Sequence, residues 1–346
     1  MKAIFPSSVG QYETLRMTIQ RKQSELTRAQ IEVSSGRHAD MGLALGTELS
    51  RVVDLRGLAD ELDAITASNG IAGTRLDMMQ SSLSAAGELA QDFFASLTAA
   101  RQSGGDRGLL VEDAKARLGA LIGIMSASSN GAYLFSGTSM DTPPLLDYLA
   151  DPPGPARQDV SAAFQSILPP SLDPADITAA DMSSYLQSTF ASLFDDAGWK
   201  ARFSGADDGA WVNRISTSET ITTSVSANTP AVRNLVQALV ATIDTDISNL
   251  NADAFEAFMS HVSNLTATVS ADMASASSQV GIAQERLAKA SERITLQRSA
   301  LERDVGSLEG VDPYEAATRL TSLMNALEAT YQVTSRLQNF SLLNYL

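Results

Sequence analysis

The chain has 346 residues, a formal net charge of −15, no cysteine and only 6% aromatic residues. That charge argues against a nucleic-acid partner or an anionic membrane surface, and the lack of thiols excludes disulfides, thiol catalysis and cysteine-based zinc sites. The length allows two or more domains, and a composition led by Ala, Ser, Thr and Leu suits long helices with slim seams rather than one large globular core.

The opening residues, Met1-Lys2-Ala3-Ile4-Phe5-Pro6, carry no long apolar run and no signal-peptidase-like site. No stretch approaches the roughly eighteen apolar residues of a membrane-spanning helix. Residues 1–37 then read as a first helix. Tyr12, Ile19, Leu26 and Val33 are spaced by seven, with Leu15 and Ala29 on the same face. Ser34-Ser35-Gly36-Arg37 breaks it, with Gly36 suited to the C-cap. A glycine-containing connector, Met41-Gly42-Leu43-Ala44-Leu45-Gly46, follows.

Residues 47–102 hold the strongest periodicity. Leu55, Leu58, Leu62, Ile65, Asn69, Ala72, Leu76, Met79, Leu83, Ala86, Ala90, Phe93, Leu97 and Ala100 alternate by three and four, which predicts a single helix about 80 Å long. Asn69 sits in that seam; it either fixes register, as a buried Asn does in coiled coils, or faces water where the seam opens. Residues 103–108 read as a turn, and residues 110–128 as a shorter helix with Leu110, Ala114, Leu118, Leu121 and Met125 as its stripe. Residues 130–138, Asn-Gly-Ala-Tyr-Leu-Phe-Ser-Gly-Thr, read as turn, strand and turn.

Composition then shifts. Eight of the eleven prolines lie between Pro143 and Pro174, both tryptophans lie at Trp199 and Trp211, and acids outnumber bases. Residues 139–225 are therefore expected to form a small mixed α/β domain inserted in the middle, with a Pro-rich loop first, a helix over 183–194 and a β-favouring run over 215–225. Helix returns at Thr229-Pro230. A long helical run over 254–308 ends in Val280, Leu287, Ile294, Leu301 and Leu308 at strict sevens, with Gly306 and Gly310 bracketing the next break.

The last stretch opens Gly310-Val311-Asp312-Pro313-Tyr314-Glu315, a cap, a proline suited to the first turn and a capping-box glutamate. Ala317, Leu320, Met324, Leu327, Tyr331 and Thr334 form its seam, and the chain closes on Leu342-Leu343-Asn344-Tyr345-Leu346. The two amphipathic ends fit either an intramolecular antiparallel hairpin or helices that order fully only inside an assembly. The fold expected is mainly α: elongated antiparallel helical rods formed by the N- and C-terminal halves. Residues 1–40 and 310–346 are the terminal helices, 41–138 and 226–309 the rod domain, and 139–225 the insert. The expected assembly interface comprises Tyr12, Ile19, Leu26, Val33, Leu320, Met324, Leu327, Tyr331, Leu342, Leu343, Tyr345 and Leu346.

Catalytic chemistry is not indicated. His38 sits in a connector and His261 within a helix, and Asp195-Asp196 and Asp207-Asp208 read as solvated loop acids. No nucleophile elbow, phosphate loop, dinucleotide fingerprint or zinc-protease motif occurs. Asn264-Leu265-Thr266 and Asn339-Phe340-Ser341 fall in helices and read as chance glycosylation matches. No enzyme activity, cofactor or metal is expected.

These pieces together resemble the bacterial flagellin superfamily. The resemblance rests on Gln30-Ile31-Glu32-Val33-Ser34-Ser35-Gly36-Arg37 near the start, and on Gly310-Val311-Asp312-Pro313-Tyr314-Glu315, Leu327-Glu328-Ala329-Thr330-Tyr331 and the tail at the end. It covers about residues 1–138 and 229–346. Residues 130–138 and the ending Asn344-Tyr345-Leu346 are similar to the hook-associated, hook–filament junction branch rather than to filament subunits. One departure stands at Ala39-Asp40-Met41-Gly42, where the family often carries Asp-Asp-Pro or Asp-Asp-Ala. The resemblance implies a structural, extracellular flagellar component, exported as an unfolded chain by the flagellar type III apparatus with a cytoplasmic chaperone. It implies self-association in a ring, contact with the other junction protein and with flagellin, and no nucleic acid, membrane or cofactor. The rival readings are a filament flagellin and a cytosolic coiled-coil adaptor.

Overall fold

The computed structural model describes residues 8–103, 106–169 and 173–343. The glycines of the turn at 104–105, residues 170–172 of the Pro-rich stretch, and Tyr345 and Leu346 lie outside the described residues. In chain order the elements are α1 (Ser8–Ser35), α2 (Met41–Leu45), α3 (Leu49–Ser103), α4 (Arg107–Met125), β1 (Ser128–Ser129), β2 (Ala132–Tyr133), α5 (Pro155–Gln165), α6 (Ala179–Gln187), α7 (Thr189–Ser192), α8 (Asp196–Arg202), β3 (Val212–Arg214), β4 (Thr220–Thr222), α9 (Pro230–Asp244), α10 (Ala252–Glu309) and α11 (Pro313–Leu343). The fold is mainly α, with long helices toward both ends and a small strand-bearing region in the middle. The backbone divides into two compact units, Met1–Asp63 with Thr295–Leu346, and Ala64–Ile294.

In the first unit the expected connector is itself helical. Asp40 caps α2 by accepting from the Leu43 N–H at 3.0 Å, and Gly46, at φ +51°, ends it. The residues that depart from the family pattern thus form a short capped helix. At the start of α3 the buried positions are Val52 and Leu62, while Leu58, placed in the seam from sequence, is 40% exposed.

In the second unit α3 and α10 run antiparallel. Asn69 Nδ2 donates to Ser291 Oγ at 3.3 Å, Gln80 pairs with Ser277, Gln91 Nε2 donates to Ser270 Oγ at 2.9 Å, and Arg101 pairs with Glu256. Each step forward on one helix is matched by a step back on the other. The three–four seam from Ala72 to Leu97 is buried, facing Phe258, Val262, Val269, Met273 and Val280 on α10. Asn69 is buried too, and its amide also donates to the Ile215 carbonyl at 3.1 Å. A buried amide with partners on two elements fixes one alignment of α3, because a slip would strand it without them.

The middle segment holds more helix than its prolines suggest. Pro155 stands in the first turn of α5, where its missing N–H is harmless and its φ is preset. Helix α8 is capped by Asp195, which accepts from the Gly198 N–H at 2.6 Å. The expected run over 215–225 is a hairpin instead. Its strand β3 begins earlier, the chain turns after Arg214, and β4 pairs back with Asn213 opposite Ile221. Aromatic rings link these pieces: Phe164, Tyr185, Phe190, Phe194, Phe203 and Trp199 follow one another at centroid separations from 4.4 to 5.9 Å. Helix α9, buried on nearly every side, packs against α4. Asp244 at its end accepts from Tyr148 Oη at 2.5 Å and pairs with Arg157 at 3.3 Å. One continuous buried cluster, running from Ala72 to Ala290 in sequence, includes both the long helices and the middle segment.

Residues 130–138 have a physical reading at almost every position. Asn130 (φ 52°) and Gly131 (φ 81°) form the two-residue turn of the β1–β2 hairpin, the left-handed pair such turns require. Leu134 and Phe135 are buried, and the Phe135 carbonyl accepts from the Ala227 N–H at 2.8 Å. Gly137 has φ +67°, and a Cβ there would meet the Asp207 backbone oxygen at 2.5 Å. Asp207 accepts from Thr138 Oγ1 at 2.6 Å, Ser139 Oγ at 2.7 Å and the Thr138 N–H at 2.8 Å.

Those hydrogen bonds, led by the Thr138 and Ser139 hydroxyls, hold the Asp207 carboxyl well below the usual carboxylate range. A depressed folded value means that its stabilisation is present above the unfolded value, near pH 4, and is lost as pH falls below it. Asp207→Asn is therefore expected to flatten the acid limb of the thermal-melt profile between about pH 4 and pH 2. Parallel limbs for variant and wild type would show that Asp207 adds nothing to acid lability.

Candidate assembly surface

Helices α1 and α11 pack on each other within the first unit. Their meeting point is set by the two break motifs. Gly36 takes φ +69°, turning the chain out of α1. Arg37 and Gly310 then form an antiparallel bridge: the His38 N–H donates to the Glu309 carbonyl at 2.9 Å, and the Val311 N–H donates to the Gly36 carbonyl at 3.1 Å. Gly310 has to be glycine for a different reason, since a Cβ there would meet the Gly306 carbonyl oxygen at 2.7 Å. The Ser-Ser-Gly-Arg and Gly-Val-Asp-Pro motifs, some 270 residues apart, are thus two halves of one stitch.

Charge reinforces the stitch. Glu309 is 1% exposed, and its carboxylate is ion-paired with Arg56 at 2.5 Å and Arg37 at 3.3 Å. Both arginines keep more than half of their side chains in water, which limits the desolvation that such a pair must overcome. Sequence reading missed Glu309. The available signal was an acid at the last position of a long helix, with Arg37 in the partner motif. Beyond the stitch, Asp312 caps α11 through the Tyr314 and Glu315 N–H groups, as its sequence suggests.

The seam between the helices is slim. Ala29 and Ala316 are buried, and Ile19, Leu26, Leu320, Leu323 and Leu327 are half-buried. Gln23 Nε2 donates to Tyr331 Oη at 2.7 Å, and Arg319 pairs with Glu32 at 3.3 Å. Of the residues expected at the interface, Ile19, Leu26, Leu320 and Leu327 therefore lie at this seam. Val33 and Met324 remain exposed, and Tyr331 keeps part of its ring exposed while its hydroxyl reaches Gln23 on α1. Tyr12 falls on α1 and Leu342 and Leu343 on α11.

The outward side is more apolar than a finished surface needs. Met17 and Ile31 stand fourteen residues apart on α1, Met324 and Tyr331 seven apart on α11, and all four are exposed. Spacing in multiples of seven places each pair on one stripe of its helix. Helix α1 thus has a seam toward its partner and a second apolar stripe toward solvent, and on α11 Met324 and part of Tyr331 stay exposed at the edge of the seam, a pattern suited to packing against further helices. No cluster of metal-ligating side chains and no helix long and apolar enough to cross a membrane occurs among the described residues.

Two family models match the chain. The bacterial flagellin N-terminal helical region matches residues 7–140, and the bacterial flagellin C-terminal helical region matches residues 263–346. The chain belongs to the flagellin superfamily. The two matched regions hold the two halves of the stitch and the exposed apolar residues Met17, Ile31 and Met324. As a flagellin-superfamily member it is a structural protein of the flagellum. Among solved structures it is similar to one from Vibrio parahaemolyticus described as a "putative flagellar hook-associated protein", at 14% identity, covering 77% of this chain and 94% of that one with a TM-score of 0.40. No curated protein matches the chain.

Proposed function

We propose that this flagellin-superfamily protein forms the hook–filament junction, the layer on which flagellin polymerises. The observation that carries the reading is the stretch over residues 130–138. Its Asn-Gly-Ala-Tyr-Leu-Phe-Ser-Gly-Thr sequence resembles the junction branch, and each residue of it that the fold constrains is used: a left-handed turn, two buried side chains, a glycine against Asp207. In this reading residues 1–40 and 310–346 are the assembly core, 41–138 and 226–309 the helical body and 139–225 the outer insert. The seam and outward residues Ile19, Leu26, Val33, Leu320, Met324, Leu327 and Tyr331, with Tyr12, Leu342, Leu343, Tyr345 and Leu346, make the contacts of a ring. Its neighbours are copies of itself, the other junction protein and flagellin. The chain travels through the flagellar type III route with a chaperone and works outside the cell without a cofactor.

Electron microscopy of flagella from a deletion strain tests the reading. Hooks without filaments, with flagellin shed into the medium, are expected. Filaments of normal length on the deletion strain would reject the junction role.

A further inference from the structure

The β3–β4 hairpin touches both long helices of the second unit. On α3 it meets Asn69, whose Nδ2 donates to the Ile215 carbonyl at 3.1 Å, and Arg75, whose guanidinium carbon lies 4.7 Å from the centroid of the Trp211 ring. Trp211 belongs to the hairpin ladder, since its carbonyl accepts from the Thr223 N–H at 2.7 Å. On α10 the hairpin meets Arg286 and Arg293, seven residues apart on one face. Glu219, in the turn, bridges them: Oε1 accepts from Arg286 Nη2 at 3.0 Å, and Oε2 from Arg293 Nη2 at 2.8 Å. The hairpin is fastened to one helix by a buried amide and to the other by a carboxylate between two arginines.

The outer fastening is open to solvent. Glu219 keeps 30% of its side chain exposed, Arg286 50% and Arg293 54%, so water and salt compete for these pairs. Val212 is 61% exposed, which leaves Ile215 and Ile221 as the buried aliphatic anchors. A two-stranded hairpin is marginal by itself, so its order depends on what fastens it.

The underside is dry and polar. Asn69 and Arg75 are buried, and among the described residues Asn69 Oδ1 and Arg75 Nε are enclosed with no hydrogen-bond partner. No carboxylate among the described residues pairs with Arg75, and stacking on an indole offsets only part of the desolvation of a cation. Both groups regain water if the hairpin lifts. Burial of Ile215 and Ile221 and the Glu219 pairs thus hold the closed state, and the dry polar atoms beneath oppose it.

We propose that residues 211–223 are a strap that lifts from α3 and α10 as one piece, at less cost than unfolding the second unit, with Glu219 as the clamp that holds it shut. Lifting hydrates Asn69 and Arg75. It leaves the two helices paired through Asn69 with Ser291, Gln80 with Ser277 and Gln91 with Ser270. Segments that open below the global cost are those with few apolar contacts and solvent-reached bonds, which this hairpin combines. The inference stands on the second unit alone and is independent of the junction reading.

Amide hydrogen exchange of the intact chain, read by mass spectrometry on peptides spanning 211–223, tests it, with the buried helix α9 as internal control. The strap peptides are expected to exchange faster than α9 under native conditions. Raising sodium chloride from about 0.1 M to about 1 M, which shortens the Debye length from about 10 Å to about 3 Å, should speed them about threefold and leave α9 unchanged. Glu219→Gln should speed them about fivefold, the scale of one partly exposed ion pair, and should remove the salt effect. Arg75→Met separates a strap poised to lift from a merely structural hairpin. It removes a buried unpaired charge at similar length, so the strap should exchange more slowly than in wild type, whereas a hairpin that Arg75 simply supports would exchange faster. Arg75→Gln asks the same question if the methionine variant fails to fold. The proposal is overturned if 211–223 exchanges no faster than α9, if salt or Glu219→Gln leaves its rate unchanged, or if neutralising Arg75 does not slow it.

Discussion

Trp199→Ala is expected to lower the unfolding free energy by about 3–5 kcal/mol, the range for deleting a large aromatic from a packed core. Trp199 has no exposed surface, stacks on Phe203 at 5.8 Å, and lies in the ring chain that joins α5, α6, α7 and α8. Its indole N–H donates to Asn228 Oδ1 at 2.8 Å, but that oxygen also accepts from Ser204 Oγ at 2.6 Å. Removing the indole therefore orphans no acceptor, and the loss is one of packing. Trp199→Phe keeps a ring and should cost clearly less, which separates volume from hydrogen bonding. Urea denaturation at fixed pH measures both. A loss under about 1.5 kcal/mol for the alanine variant would mean that the cavity collapses or fills.

The second large effect is expected at the α3–α10 seam. Leu76 is 1% exposed and Ile294 2% exposed. Leu76→Asp forfeits a burial worth roughly 1.5–3 kcal/mol and forces a carboxylate to remain desolvated or to take up a proton. Ile294→Asp acts in the same way on the facing helix. Each variant should show a melting temperature lower by ten degrees or more, on the order expected for several kcal/mol in a domain of about 230 residues. An unchanged melt for either would place that residue outside the seam.

How much of this was legible in the sequence depends on what sets each element. The long seams were readable because burial recurs every three or four residues, so position follows from arithmetic alone; Leu76, Met79 and Leu83 are buried as that spacing requires. The α11 seam was readable only to within one residue. Ala316, Leu320, Leu323 and Leu327 make as good a three–four run as Ala317, Leu320, Met324 and Leu327, and a slim helix can turn either stripe to its partner. The structure turns the first inward and leaves Met324 exposed, with Tyr331 at the edge of the seam.

Helices α5 and α8 escaped notice because they are short and are held by tertiary contacts. Their signals were a proline in a first turn and an aspartate three residues before a glycine. The hairpin β3–β4 was read as one run because Ile215 and Ile221 are both buried on either side of a tight turn. Of the candidate surface, the apolar stripes were visible from spacing. The Gly36–Gly310 stitch and the buried Glu309 were not, since no local pattern announces a pairing between motifs so far apart.

The first unit has a further consequence for the order in which the chain can fold. Its parts come from residues 1–63 and 295–346, whereas the second unit is one contiguous stretch, 64–294. A chain appearing from its N-terminus holds α1 for nearly the whole length of its synthesis or passage with no partner in reach. Helix α1 cannot close its seam, and Glu309 cannot meet Arg37 and Arg56, until the final segment has emerged. Contacts of such long sequence separation form late. Closure of the first unit is therefore a completeness check: a copy that stops short of residue 313 leaves the N-terminal helix without α11 to close its seam.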